Sequence, residues 1–201
     1  MNNVLMLPER TRMNIPANGG VFFTPRAMEN WYCIFVQSGY EEKIRTFKLN
    51  KYCPHLTFMI PKKQIRQRQE GLWGEILRPI FPGYILVKGY LNYTDCYQIR
   101  RLQHVVRVLT DHSGEPSKIN PEEIELLLKL LQNGEIIRPS RGIDRGDRVE
   151  IIEGPLKSLK GLVYSINRRK ERARILFDFM NQQRKIDVGL KIIRLMEEEN
   201  K

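Results

Sequence analysis

The fold of this chain is decided by the stretch Arg78-Pro79-Ile80-Phe81-Pro82-Gly83-Tyr84-Ile85-Leu86-Val87. Pro82-Gly83 predicts a turn that leads into a strand of bulky residues. Because side chains alternate along a strand, Tyr84 and Leu86 face one side of the sheet, and the aliphatic residues that follow each of them face the other. A strand that is apolar on both sides is either covered twice within the protein or keeps one side for a partner.

Composition limits the function. The chain has 201 residues, a formal net charge of +11 and an isoelectric point near 9.7, which favours a polyanionic partner, nucleic acid before membrane. No apolar run reaches the roughly 18 residues of a membrane span. Cys33, Cys53 and Cys96 are odd in number and widely spaced, which fits a reducing cytoplasm and neither zinc nor a disulfide framework. We therefore expect a cytoplasmic monomer without membrane contact.

No catalytic pattern is found in the sequence. His55, His104 and His112 have no cysteine or carboxylate partner at the spacing of metal ligands. G-x-S-x-G, a P-loop and G-x-G-x-x-G are all absent from the sequence. The sequence thus predicts a protein that is not an enzyme and needs no cofactor or metal.

The first two thirds of the chain predict an α+β sheet with helices packed on it. A helix over 41–51 should turn Ile44 and Phe47 inward, and the basic stretch 62–68 should form a hairpin tip or loop that is either solvated or in contact with a nucleic-acid backbone. Further strands are predicted over 31–36, 55–60, 75–78, 84–87 and 105–109, and further helices from the cap Thr94-Asp95 to about 102 and from Asn120-Pro121 to 131.

The last third predicts a small all-β domain. Turn-forming residues over 132–144 indicate a linker. Short strands over 148–152, 162–167, 172–180, 184–188 and 192–195 are typical of an SH3-like barrel. On the strand over 172–180, Ala173, Ile175, Phe177 and Phe179 should face inward, opposite to Arg172 and Arg174. The predicted domains are a mobile extension (1–27), an α+β domain (28–131), the linker (132–144) and the β domain (145–201).

The predicted β domain carries most of the positive charge. Residues 141–195 contain 14 lysines and arginines and 7 acidic residues, a surplus of seven positive charges on a small barrel. Such a surface is either solvated or bound to a polyanion, and arginine forks suit phosphate and guanine edges. The candidate RNA-binding residues are Lys157, Lys160, Arg168, Arg169, Lys170, Arg172, Arg174 and Arg184.

Three motifs in order resemble the NusG family of transcription elongation factors. They are residues 31–43 (WYCIFVQSGYEEK), Phe81-Pro82-Gly83-Tyr84 before its aliphatic strand, and residues 146–155 (GDRVEIIEGP) followed by Gly161-Leu162-Val163. In that family the first two belong to an N-terminal (NGN) domain and the third to a C-terminal KOW domain. The resemblance spans about residues 28–195.

The resemblance implies a partner for the apolar side of the sheet. NGN domains use a hydrophobic depression to grip the clamp helices of RNA polymerase. By motif position that surface consists of Phe35, Phe81, Tyr84 and Leu86. Rigid aromatic side chains make good anchors for a helix because they bury area at little entropic cost. The competing interpretation places these side chains in the core. We expect Phe81 and Tyr84 to lie at the surface.

The sequence departs from the family pattern at two places. Arg101-Leu102-Gln103-His104 replaces a turn that several relatives place near non-template DNA, and Met180-Asn181 replaces a Phe-Gly pair that touches Rho or the ribosomal protein NusE. These changes and the basic KOW domain resemble specialised paralogs, the LoaP antiterminators. That resemblance implies recruitment by a structured leader RNA and read-through of terminators. The alternatives are a general adaptor to ribosome or Rho, a translation-side RNA-binding module and, weakest because no cofactor motif is present, an RNA-modifying enzyme.

Overall fold

The computed structural model describes residues 30–132, 134–180 and 182–194. The predicted extension over 1–27 lies outside these residues, as does Asn181 of the Met180-Asn181 pair. Within the described part of the chain, no helix is long and apolar enough to cross a membrane.

The stretch 78–87 leads into the interior of an N-terminal sheet. Its strand β5 (Tyr84–Lys88) lies between β1 (Trp31–Val36) and β2 (Thr57–Met59), and β6 (Val105–Val108) pairs with the other side of β1. All three pairings are antiparallel, and Ile34 of β1 stands opposite Ile85. The sequence predicted this strand and left open whether both of its faces are covered within the protein.

Helices cover one face of this sheet. The first helical stretch consists of α1 (Glu41–Ile44), a π-helical segment (Arg45–Leu49) and α2 (Asn50–Tyr52), and α3 (Tyr93–Arg100) packs beside it. The side chain of Asn92 and that of Asp95 form a reciprocal capping box at the start of α3, two residues before the predicted cap.

The prediction that Phe47 faces inward is wrong. Its side chain is 70% exposed, whereas Ile44 and Leu49 are buried. Phe47 lies in the π-helical segment, where the wider turn changes the α-helical spacing of three and four residues. Leu49, and not Phe47, consequently takes the inward position.

The stretch 62–68 is a strand and not the predicted hairpin tip or loop. Strands β3 (Lys62–Gln69) and β4 (Leu72–Pro79) form a long antiparallel hairpin that turns at Glu70-Gly71. Ile65 supplies the buried position among the basic residues. Because most of this ribbon faces solvent, its charged side chains are compatible with a strand and hide the usual apolar alternation.

A helix and a short strand lead from the first sheet to the second. Helix α4 (Pro121–Leu131) begins at the predicted cap, where the Asn120 side chain accepts a hydrogen bond from the Glu122 amide. Strand β7 (Ile136–Ile137) then runs parallel to β3. Part of the stretch predicted as a linker is thus hydrogen-bonded to the hairpin.

A five-stranded sheet makes up the C-terminal part, in the order β10-β11-β12-β8-β9. Its strands are β8 (Ser140–Asp144), β9 (Val149–Glu153), β10 (Val163–Asn167), β11 (Arg172–Phe179) and β12 (Gln182–Arg194). Strand β12 pairs antiparallel with β11 up to Gly189 and parallel with β8 from Leu190. The strand predicted over 184–188 and the described part of that predicted over 192–195 form one strand that changes partner, whereas residue 195 lies outside the described residues. Strand β8 lies in the predicted linker. The predicted fold class, an α+β sheet followed by a small all-β unit, is confirmed.

The hydrophobic core joins the two sheets. One cluster of buried residues packs the helices against Ile85 and Val87. A second, continuous cluster contains Leu86 and Phe81 of the N-terminal sheet, residues of α4, and the inward side of β11. The inward side of β11 is the predicted one, Ala173, Ile175, Phe177 and Phe179. The second face of the N-terminal sheet is therefore covered by the C-terminal sheet.

Candidate functional site

An aromatic turn stands where β5 begins. Gly83 has a φ of +82°, and a Cβ atom there would lie 3.0 Å from both Phe35 Cε2 and the Val36 carbonyl oxygen. The buried carboxylate of Glu41 accepts hydrogen bonds of 2.7 Å from the Gly83 and Gly39 amides. The rings of Phe35 and Tyr84 are 5.1 Å apart. This bonding fixes the backbone of the turn from which the aromatic side chains project.

The C-terminal sheet covers this aromatic turn. The rings of Phe81 and Phe179 stack with centroids 4.0 Å apart and planes 7° apart, and Phe177 lies 5.9 Å from Phe81. Phe81 is 3% exposed and Leu86 is fully buried. The expectation that Phe81 lies at the surface is wrong for this arrangement of the chain, because a second sheet packs on a face that the first sheet alone would leave open.

Tyr84 and Phe35 are only partly covered. Both are half-buried, and the Arg184 guanidinium lies 5.7 Å from the centre of the Tyr84 ring. Arg184 thus stands at the contact between the two sheets and not with the other basic residues predicted for RNA.

Polar contacts surround the apolar contact between the sheets. Arg66 Nη1 of β3 lies 2.8 Å from a carboxylate oxygen of Glu171, and Arg172 Nη2 donates a hydrogen bond of 2.9 Å to the Arg66 carbonyl. Lys191 of β12 lies 2.9 Å from Glu75 of β4. Exposed ion pairs of this kind add little stability, so the aromatic contact is the larger contribution.

Four of the predicted RNA-binding residues meet at one cavity. It has a volume of about 420 Å³ and lies beside the turn between β10 and β11. Its lining consists of Ser165, Ile166, Asn167, Arg168, Lys170, Arg172, Arg174 and Asp187. The cavity offers cationic and neutral hydrogen-bond donors together, a combination that suits a phosphate or a base edge.

Acidic residues hold the arginines of this cavity in place. Arg174 Nε and Nη2 donate to the two carboxylate oxygens of Asp187 at 2.7 and 3.3 Å. The hydrogen bond from Arg174 lowers the pKa of Asp187 below its ordinary value. Arg168 Nη2 donates to the Gly146 carbonyl at 2.9 Å and lies near Asp144. Arg168 and Arg174 are still 42% and 48% exposed, so both remain within reach of a ligand.

The other predicted residues are placed elsewhere. Arg169 lines a second cavity, of about 490 Å³, together with Arg168, Glu171, Ile192 and Arg66 of the N-terminal hairpin. Lys157 and Lys160 are exposed on the connection between β9 and β10, outside both cavities. Sequence reasoning did not connect Arg66 with the C-terminal cluster. The only signal was the basic run 62–68, which the sequence could not place in space.

The described residues contain no group of three or more His, Cys, Asp or Glu side chains that could hold a metal ion. The three cysteines are buried thiols. Burial is the main cause that raises the pKa of Cys53 to about 11.

This architecture defines a class of protein: an α+β domain with an aromatic turn before its central strand, packed on a small basic β domain, as in proteins built from NGN and KOW domains. A family model described as "Transcription termination factor nusG" matches residues 29–128. The chain belongs to the NusG family of bacterial transcription factors, which confirms the resemblance drawn from the motifs.

Several relatives extend this match into the C-terminal part. The "Transcription termination/antitermination protein NusG" of Escherichia coli K12 is 24% identical over 154 residues, 73% of this chain and 85% of that protein. The protein of the same name from Buchnera aphidicola is 21% identical over 175 residues, 83% and 96% of the two chains. A solved structure, "Domain interaction in Thermotoga maritima NusG", shares the fold with a TM-score of 0.50 at 18% identity, over 80% of this chain and 93% of that one.

Proposed function

We propose that this protein is a transcription elongation and antitermination factor with two binding surfaces. The aromatic turn and its strand (Phe35, Phe81, Tyr84 and Leu86) dock on the clamp helices of RNA polymerase. The basic C-terminal cluster binds a structured nascent RNA. Holding both partners promotes read-through of terminators in specific operons.

The polymerase surface is supported by the rigidity of the aromatic turn. Glu41 and the close packing of Gly83 fix the backbone of the turn that carries the aromatic rings, which lowers the entropic cost of docking. Phe81 stacks on Phe179 in the packed arrangement. A helix pair and the C-terminal sheet cannot occupy this face together. Docking therefore requires the C-terminal sheet to move away.

The RNA surface is supported above all by the cavity that Arg168, Lys170, Arg172 and Arg174 line. A-form RNA hides its base edges in a deep, narrow groove, so recognition at such a cavity suits a loop, bulge or distorted groove. Guanidinium groups contribute phosphate affinity and bidentate contacts to exposed bases.

A second candidate is a general adaptor that couples polymerase to ribosome or Rho without specific RNA recognition. It is favoured by the pairing of Arg174 with Asp187 and of Arg168 with Asp144, which offsets part of the positive charge. This candidate predicts RNA binding that is blind to sequence and weakens steeply with salt.

A role near non-template DNA would fall to the turn at Arg101–His104, where the rings of His104 and Tyr40 stack with their centres 3.8 Å apart.

A pair of variants separates the two surfaces. Arg168→Ala combined with Arg169→Ala removes exposed cations and should weaken RNA binding sharply while polymerase binding is kept. Tyr84→Ala should abolish polymerase binding and leave RNA binding unchanged. Both are measured on the full chain, with RNA by fluorescence anisotropy and polymerase by pull-down. Unchanged RNA affinity in the arginine variant would refute the RNA site, and unchanged polymerase binding in Tyr84→Ala would refute the docking face.

A further inference from the structure

The N-terminal hairpin and the C-terminal sheet share a basic surface. Arg66 of β3 lines the same cavity as Arg168 and Arg169, and Arg168 also lines the neighbouring cavity beside the β10–β11 turn. We infer that the RNA-binding surface is composite, with Arg66 of the N-terminal hairpin as a contact residue beside the C-terminal arginines. This inference rests on the proposed RNA binding and adds a residue and a domain to that site.

Arg66 is positioned for contact with a ligand. Its guanidinium lies 5.2 Å from the centre of the Trp73 ring and 2.8 Å from the Glu171 carboxylate, and its side chain is 49% exposed. Trp73 itself is 45% exposed. An exposed aromatic ring beside an arginine is the pairing on which unstacked bases stack while a phosphate binds the cation. The hairpin thus offers a stacking surface that the C-terminal cavities lack.

Arg172 connects the two parts of this surface. Its Nη2 atom donates to the Arg66 carbonyl at 2.9 Å, and its side chain also lines the first cavity. Its Nε atom is buried and has no hydrogen-bond partner within the described residues. Arg172 therefore ties the backbone of the N-terminal hairpin to the arginines that line the first cavity.

The charge at the junction favours an anion. Three arginines, Arg66, Arg168 and Arg169, line the second cavity, where Glu171 is the one acidic side chain of the lining. Cations that lie close together repel one another, and a polyanion relieves the repulsion. RNA that spans the junction would bind most tightly when the sheets are packed. When the sheets separate for polymerase docking, the RNA would lose the Arg66 contact.

The test measures the affinity of the full chain for a labelled RNA hairpin that contains a bulge, across a salt series around 0.15 M. Arg66→Ala should weaken binding roughly tenfold, equivalent to about 1.4 kcal/mol, and should reduce the salt slope by about 1. The matched control is Arg78→Ala, which removes the same charge from an exposed position of the same hairpin outside both cavities. It should change the affinity by less than about twofold.

A second variant distinguishes direct contact from a mere loosening of the sheets. Glu171→Gln breaks the same ion pair as Arg66→Ala but removes a negative charge from the cavity. It should tighten RNA binding. The inference is overturned if Arg66→Ala and Glu171→Gln weaken RNA binding alike. It is also overturned if Arg66→Ala and Arg78→Ala have equal effects on RNA binding. If Arg168→Ala with Arg169→Ala weakens binding while Arg66→Ala does not, the composite surface is refuted and the C-terminal RNA site stands. If neither weakens it, both proposals are refuted.

Discussion

The two faces of the N-terminal sheet are equally buried but differently covered. Ile85 and Val87 pack under α1, its π-helical continuation and α3, which are joined to the strands of the sheet by short connections. Leu86 and Phe81 pack under α4 and a second sheet that lies more than fifty residues further along the chain. Burial alone therefore does not tell which face a protein keeps permanently closed.

The two faces differ in where their covering partners come from. The helical face is closed by side chains of the same domain, and polar pairs of that domain, Arg45–Glu42 and His55–Asp95, lie beside it. The other face is bordered by exposed ion pairs such as Arg66–Glu171 and Lys191–Glu75. These pairs join residues of the two domains, and salt screens them. The proposed polymerase docking requires the apolar contact that they surround to be released.

The helical face should respond most strongly to substitution. Ile85→Ala removes a fully buried side chain between fixed elements and should lower the free energy of unfolding by about 2–5 kcal/mol. Urea unfolding followed by circular dichroism measures the change. The control is Val106→Ala on β6, which is 59% exposed in the native chain and should change stability by less than about 0.5 kcal/mol. A cost for Ile85→Ala as small as that of the control would contradict the permanent closure of this face.

The aromatic turn should show an intermediate effect. In Gly83→Ala the new Cβ meets Phe35 Cε2 and the Val36 carbonyl oxygen at a positive φ, which should cost about 1–3 kcal/mol. Gly114→Ala is the matched control, because Gly114 has a φ of +87° and a Cβ added there would meet nothing within 4 Å. The loss of stability in Gly83→Ala minus that in Gly114→Ala gives the steric contribution of the new methyl group, because both glycines have a positive φ. Equal thermal shifts in the two variants would show that the turn has room to adjust.

The covered face should show the smallest loss of stability and the largest change of shape. In Phe81→Ala the stacked contact with Phe179 is lost, and the sheets should separate in preference to keeping a cavity. Small-angle scattering should record a larger radius of gyration, while the N-terminal sheet unfolds at nearly the native urea concentration. Phe47→Ala, a change at an exposed ring on the helical side, serves as control. An unchanged radius with a stability loss like that of Ile85→Ala would make this face a permanent core.

Local patterns in the sequence predicted the central strand, the α4 cap and the inward side of β11, because each depends on neighbouring residues. They could not predict that the C-terminal sheet covers Phe81, since that contact joins residues about a hundred positions apart. The strand β3 was missed because its charged residues mask the apolar alternation of a strand. The inward position of Leu49 was missed because it lies in a π-helical segment, which α-helical spacing does not describe. In the basic cluster, Arg168, Lys170, Arg172 and Arg174 could be predicted to lie together because they are neighbours in the sequence. Arg66 could not be predicted, because it lies about a hundred positions away along the chain.

The most direct test of the proposed function is the binding of the full chain to the leader RNA upstream of its own operon. The measurement is made near 0.15 M salt with excess unrelated RNA as competitor. We predict tight binding that the competitor does not displace and that Arg168→Ala with Arg169→Ala weakens sharply. Weak binding that disappears with competitor would contradict specific RNA recognition and would leave the general adaptor as the function of this protein.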